Sequence, residues 1–331
     1  MKKFFLFTLL ACAPIFAEHV VIIGGGPSGL ATAIEARLSG AEVTVVEKRD
    51  AYTRSQTLFI RDYSLLLLNK WKVKVPNFNV VEVKPGIDMG FVQINTLEEA
   101  LADRSKELGV RKLHGEFVRI ENGAAIVKAQ EGERKIPYDI LVGSDGTHSQ
   151  VRESLGIKTT CMGTATGAGV GFVFKEPNPN VDISPEIRKN GVIGKKFTLP
   201  FGSIFFVQSE APLDKLENIA KDFGWEKEAE GIAKGEAIIL EGIEIVLQQA
   251  RTFSDKKKSV ILIGDSAATA SFFKGMGVNT AFEEAAAAGI FFHWLKQDEA
   301  SAYDSFNKSM KEMTDELIES SHYLWDATEY S

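Results

Sequence analysis

The stretch from His19 to Glu47 constrains the fold more than any other part of the chain. His19-Val-Val-Ile-Ile23 is a short β-branched run of the kind buried in parallel sheets. It leads straight into Gly24-Gly25-Gly26-Pro27-Ser28-Gly29. Leu30 to Ser39 is helical in character, with Ala31, Ala33, Ile34 and Leu38 apolar, and Gly40 stands where a helix C-terminal cap belongs. Ala41 to Val46 reads as a second strand, which Glu47 ends. Strand, glycine turn, helix, strand, acid is the order expected of a dinucleotide-binding α/β unit.

Each position of the turn has a physical task. Gly24 lets the chain turn sharply out of the strand, and Gly26 bares the backbone to a pyrophosphate. Gly29 lets the helix lie close to the strand. Pro27 and Ser28 open the helix, whose free N–H groups carry partial positive charge. Glu47 can accept hydrogen bonds from ribose hydroxyls and would repel a 2′-phosphate. The site therefore suits an adenosine with a free ribose, as in FAD or NAD, better than NADP.

Composition narrows the remaining classes. The 331 residues are 44% apolar and 25% charged, which excludes a disordered chain and a polytopic membrane protein. Length alone suggests about two packed units. The formal charge is −7, and the densest basic spot is Lys256-Lys257-Lys258, so a nucleic-acid partner is not expected. Cys12 and Cys161 are too few for a disulfide scaffold or a Cys-based zinc site, and the five scattered His show no metal-ligand spacing. Lys2-Lys3, the apolar run Phe4 to Phe16 and Ala17 predict a signal peptide over residues 1–17, hence export to the periplasm or the medium. The run is shorter than the ~20 residues of a membrane span. Left uncleaved, it would act as a weak membrane tether. The alternatives are lipidation at Cys12 and a cytoplasmic protein whose first residues are buried.

Two distant segments add to the glycine turn. In Tyr138-Asp-Ile-Leu-Val-Gly-Ser-Asp145-Gly146, and again in Ser259-Val-Ile-Leu-Ile-Gly264-Asp265, an apolar strand ends in a turn with an aspartate. Gly275-Met-Gly277-Val278-Asn279 then leads into an Ala-rich helix expected from about Thr280 to Trp294. The order glycine turn, Asp-Gly, Gly-Asp resembles the group A FAD-dependent monooxygenases of the aromatic-hydroxylase-like superfamily, over nearly all of the chain after residue 17. The resemblance implies FAD, with NADH or NADPH as reductant. It maps Asp145, Gly146 and Arg152 to a segment serving FAD and the pyridine nucleotide, and Gly264 and Asp265 to the ribityl chain. Gly275, Gly277, Val278 and Asn279 map to the loop beside the flavin ring. The stretch from Glu47 to Leu58 is similar to the MICAL-type monooxygenases and adds Lys48 and Arg54 to the candidate cofactor contacts. That likeness is local and does not license actin as a substrate. The chain departs from the family at Phe272 (usually Pro), at Ala268 (often His), and at Leu97 and Glu98, where an Arg or Gln often reaches the flavin.

The resemblance implies an α/β fold in which a Rossmann-like FAD-binding domain, residues 18–162 and 251–331, carries an inserted β-sheet substrate domain, residues 163–250. A helix over Ile94 to Leu108 and a hairpin at Glu121-Asn122-Gly123 are expected. Strands are expected over Val170–Phe174, Lys196–Leu199, Ser203–Gln208 and Ile243–Gln249, and helices over Asp214–Gly224, Glu226–Lys234 and, in one or two pieces, Ser301–Tyr330. Gly167-Ala-Gly169-Val-Gly171 leads into a strand and reads as strand or bulge glycine. Phe201, Phe205, Phe206, Phe272 and Phe273 are candidates for an apolar pocket or for core. By resemblance, a flavin hydroperoxide would deliver one oxygen atom to a small molecule or a protein side chain. The rivals are an FAD-dependent dehydrogenase or reductase, and a flavin-binding interaction protein without turnover.

Overall fold

The computed structural model describes residues 18–176 and 181–322. The leader, Cys12 and the last part of the C-terminal stretch lie outside the described residues. β1 (His19–Ile23), α1 (Pro27–Leu38) and β2 (Glu42–Glu47) form the expected opening unit. The helix starts at Pro27, ahead of Leu30, because proline's missing N–H costs nothing in the first turn. An excursion follows, made of β3 (Thr57–Arg61), α2 (Asp62–Lys70), β4 (Asn79–Lys84) and β5 (Ile87–Gln93). Its strands pair antiparallel in the order β3-β5-β4, a small sheet absent from the sequence expectations. α3 (Ile94–Glu107) buries Leu97 and Leu101 as its periodicity requires.

β6 (Arg111–His114) is followed by β7 (Glu116–Glu121), β8 (Ala124–Ala129) and β9 (Gly132–Pro137), a separate antiparallel sheet. Asn122 and Gly123 turn its first hairpin with φ of +48° and +70°, as a two-residue primed turn demands. β10 (Ile140–Gly143) and α4 (Gln150–Ser154) lead into the long β11 (Thr159–Val173). Next come β12 (Asp182–Ile183), β13 (Ile187–Lys189), β14 (Val192–Leu199), β15 (Gly202–Ser209), α5 (Leu216–Asp222), α6 (Glu226–Ala233) and β16 (Ile238–Ala250). The described chain closes with β17 (Ser254–Asp255), β18 (Val260–Leu262), β19 (Ala268–Thr269), α7 (Met276–Leu295) and α8 (Glu299–His322).

Two larger sheets position the site. The first has the order β17-β18-β10-β1-β2-β6 and is parallel except for β17 at its edge. Val20, Val21, Ile22, Leu141, Val142 and Ile261 have no exposed surface, as expected of a sheet covered on both faces. The second is antiparallel, in the order β12-β14-β15-β11-β16-β19, with β13 beside β14. Its β11–β16 register slips between Gly167 and Gly169, so the glycines there are bulge glycines. A Cβ on Gly167 would stand 2.6 Å from the Phe272 ring, which explains why a glycine sits at that bulge.

Candidate functional site

The glycine turn is built by close approach. A Cβ on Gly29 would lie 2.0 Å from the Gly24 carbonyl oxygen, so only glycine lets α1 pack this tightly on the end of β1. The Ser144 hydroxyl donates to the Ile23 carbonyl (2.8 Å), fastening the end of β10 to the same turn. Gly26 is the N-cap of α1, and no side chain caps the helix. Its free N–H groups face a cavity of about 980 Å³ lined by Gly24, Gly26, Pro27 and Ser28. A Cβ on Gly26 would point at the tips of Arg49, Arg54 and Glu98, 3.9–4.0 Å away.

Glu47 lines the same cavity. Its Oε2 accepts from the Gly25 N–H (2.9 Å) and Arg49 Nη2 (2.8 Å), and Oε1 accepts from the Arg49 N–H (2.8 Å) and Nε (3.1 Å). Burial alone would raise its pKa, but these hydrogen bonds outweigh it and hold the carboxyl below its ordinary value. Lys48 also lines the cavity and pairs loosely with Glu116 (3.7 Å).

Asp145 and Gly146 reach the cavity from the end of β10. The Asp145 carboxylate accepts from the Ser149 hydroxyl (2.5 Å) and from the Gln150 and Val151 N–H groups (2.7 and 3.1 Å), and so starts α4. Arg152 does not line the cavity. Its guanidinium donates to the Ser266 and Thr147 carbonyls (both 2.8 Å), bracing the Asp-Gly turn against the Gly-Asp turn. Asn279 is likewise a brace. Its Nδ2 donates to the Phe59 and Gly275 carbonyls (2.7 and 2.5 Å), and its Oδ1 accepts from the Arg61 N–H (2.9 Å).

Asp265 projects into the cavity at the turn after β18. Its accessible surface faces the cleft while protein crowds it on its other sides, and this desolvation raises its pKa, with Arg54 partly offsetting it. Beneath it, Glu284 of α7 is 1% exposed and accepts from the Gly264 N–H. Burial pushes its pKa well up, that N–H lowers it, and Asp265 and Glu283 raise it further, so the fold favours the protonated form of Glu284. α7 starts at Gly275 (φ +59°) with no side-chain cap, and Gly277 and Val278 of its first turn line the cavity. Sequence reasoning missed Glu284 and Arg49, and treated Glu98 only as a departure. Arg49 alone had a local signal, its place two residues after Glu47.

The cavity continues to an apolar end. Phe59, Phe91, Phe201, Phe206 and Phe272 line it, whereas Phe205 and Phe273 are core. Between residues 169 and 243 its lining carries no charged side chain. The site thus offers two uncapped helix N-termini, two guanidiniums, an acceptor at each end and an adjoining apolar chamber. That donor set fits FAD: cation and N–H for the diphosphate, Glu47 for a ribose, Asp265 for a ribityl hydroxyl. Among the described residues no group of His, Cys, Asp and Glu forms a metal site, and no helix is long and apolar enough to cross a membrane.

Comparison with known proteins agrees with this geometry. Residues 19–58 match the FAD dependent oxidoreductase family (DAO). The [F-actin]-monooxygenase Mical of Drosophila melanogaster is 32% identical over 144 residues, 40% of this chain but 3% of the fly protein. The uncharacterized aromatic compound monooxygenase YhjG of Bacillus subtilis is 25% identical over 308 residues, 81% of this chain and 60% of that protein. The chain therefore spans a small fraction of the actin monooxygenase and under two thirds of YhjG. Among solved structures, pqsL, a probable FAD-dependent monooxygenase from Pseudomonas aeruginosa, superposes with a TM-score of 0.76 at 17% identity, covering 95% of this chain and 97% of that one. Aklavinone-11 hydroxylase, solved with FAD and aklavinone, superposes at 0.71 with 18% identity over 94% of this chain and 69% of that one. The fold is that of the FAD-binding aromatic hydroxylases, with a β-sheet layer beside the nucleotide-binding sheet. In sequence the chain resembles the FAD-dependent monooxygenases, Mical-like over part of its length.

Proposed function

We propose that the protein is an FAD-dependent monooxygenase that takes electrons from NADH or NADPH and acts on an uncharged, apolar small molecule. The observation that carries this is one continuous cavity running from the glycine turn to an end walled by phenylalanines, where the lining between residues 169 and 243 carries no charge. FAD, when bound, supplies hydride acceptance and the activation of oxygen for transfer of one atom to the substrate. The chain's own residues bind and orient. The α1 N-terminus, Arg49 and Arg54 hold the diphosphate, Glu47 the ribose hydroxyls and Asp265 a ribityl hydroxyl. The α7 N-terminus stabilises negative charge at the ring end. The phenylalanines exclude water and place the substrate by shape, without an ionic anchor.

The test gives flavin-loaded protein each nicotinamide under isotopically labelled oxygen, with uncharged phenols and with their carboxylated counterparts. Label should enter an uncharged compound. Nicotinamide oxidation that yields only hydrogen peroxide in every arm would mark a reductase instead. No nicotinamide oxidation at all would mark a flavin-binding protein without turnover. The export reading is proposed alongside. After cell fractionation the mature N-terminus should lie near Glu18, and a soluble cytoplasmic product beginning at Met1 would overturn both export and tether.

A further inference from the structure

Four charges converge on the glycine turn, those of Arg49, Arg54, Glu47 and Glu98, and the last has the wrong sign for a diphosphate without a ribose to hold. Glu98 of α3 has no exposed surface. Its Oε1 accepts from Arg54 Nη2 (2.5 Å) and Arg49 Nη2 (3.3 Å). Its Oε2 is buried without a hydrogen-bond partner. Oε1 and both guanidinium tips stand 3.9–4.0 Å from where a Cβ on Gly26 would be. Arg54 and Arg49 line the cavity, while Glu98 stands behind them. Arg49 is further shared with Glu47.

We infer that Glu98 is a positioning residue that sets how tightly the turn holds a diphosphate. It keeps the two guanidiniums at the lip of the turn. As a fixed buried carboxylate it also competes with the phosphates for them. Two arginines facing a dianion would make a strong anion site. A carboxylate this close to both cancels part of that field, and its burial keeps salt from screening it. The cofactor site is therefore weaker and more exchangeable than its two arginines suggest. The inference rests on the FAD reading for the identity of the cofactor, and on the turn alone for the diphosphate.

Glu98→Gln separates the two roles, since the amide keeps an oxygen for Arg54 and removes the charge. In flavin-fluorescence titrations, Glu98→Gln should bind FAD at least tenfold more tightly than the parent. Inorganic pyrophosphate should gain by the same factor, while riboflavin, which lacks phosphate, should not change. Glu98→Ala, which no longer holds the arginines, should bind FAD more weakly than Glu98→Gln. Arg54→Gln alters a half-exposed side chain and serves should the Glu98 variants not fold. It should weaken both FAD and pyrophosphate tenfold or more. Unchanged or weaker pyrophosphate binding by folded Glu98→Gln, or unchanged binding by Arg54→Gln, overturns the inference. If FAD binds no form while pyrophosphate still responds as stated, the cofactor reading falls and the role of Glu98 stands.

Discussion

Glu284 shows how one buried carboxyl can make the whole fold sensitive to pH. Its folded pKa lies above the ordinary 4.5, so the protonated form is the one the fold favours. The stability tied to that proton is fully present below the ordinary value and is lost as pH rises through the raised one. Glu284→Gln copies the protonated form and keeps an oxygen for the Gly264 N–H. Thermal melts across pH should show equal stability at acid pH and a higher melting point for the variant at alkaline pH. The gain should be about 2 °C per kcal/mol recovered. Parallel curves for the two proteins would refute the assignment. Residues of this kind were the least legible in the sequence. Gly24, Gly29 and Glu47 sit at fixed offsets within one βαβ unit, and the chemistry of the turn dictates them. Glu98 meets Arg49 and Arg54, and Glu284 meets Gly264, only after folding, and no spacing encodes those meetings.

Elements were legible where a local pattern sufficed. α3 shows helical apolar spacing, and the Asn122-Gly123 hairpin carries its own turn chemistry. The three-stranded sheet of β3, β4 and β5 did not announce itself. β4 alternates only between exposed and half-exposed positions, and β5 buries Gly90, Phe91 and Val92 in succession after Asp88, so neither shows the period-two pattern of a half-buried strand. β3 finds its partner β5 across α2 and β4, a pairing that sequence periodicity does not carry. Asn279 helps to hold this sheet to α7, because its amide bonds the backbone of β3 on both sides of Ile60. Asn279→Ala leaves the Phe59 carbonyl and the Arg61 N–H without these partners. It should cost about 1–3 kcal/mol in denaturant unfolding. Asn279→Asp still accepts from Arg61 but cannot donate to Phe59, so it should be no more stable than the parent. A cost below the error of the measurement for both variants would show that the sheet is held by other contacts.

At the scale of the molecule, the cavity joins residues from Ile23 to Ala281, so a bound cofactor ties most of the fold together. FAD at a hundredfold excess over its Kd should stabilise the folded form by about 2.7 kcal/mol, raising the melting point by roughly 5 °C. The rise should grow with FAD concentration, and a melting point indifferent to FAD would refute the fit. The strand order β17-β18-β10-β1-β2-β6 has a consequence for biosynthesis. The first two strands of the sheet leave the ribosome early, yet β18, which flanks β10 in the parallel array, is made only after the whole antiparallel sheet up to β16. Asp265 and the first turn of α7 follow later still. A nascent chain therefore carries half a nucleotide pocket through most of its synthesis, and loading with FAD becomes a step of maturation that belongs to the finished polypeptide.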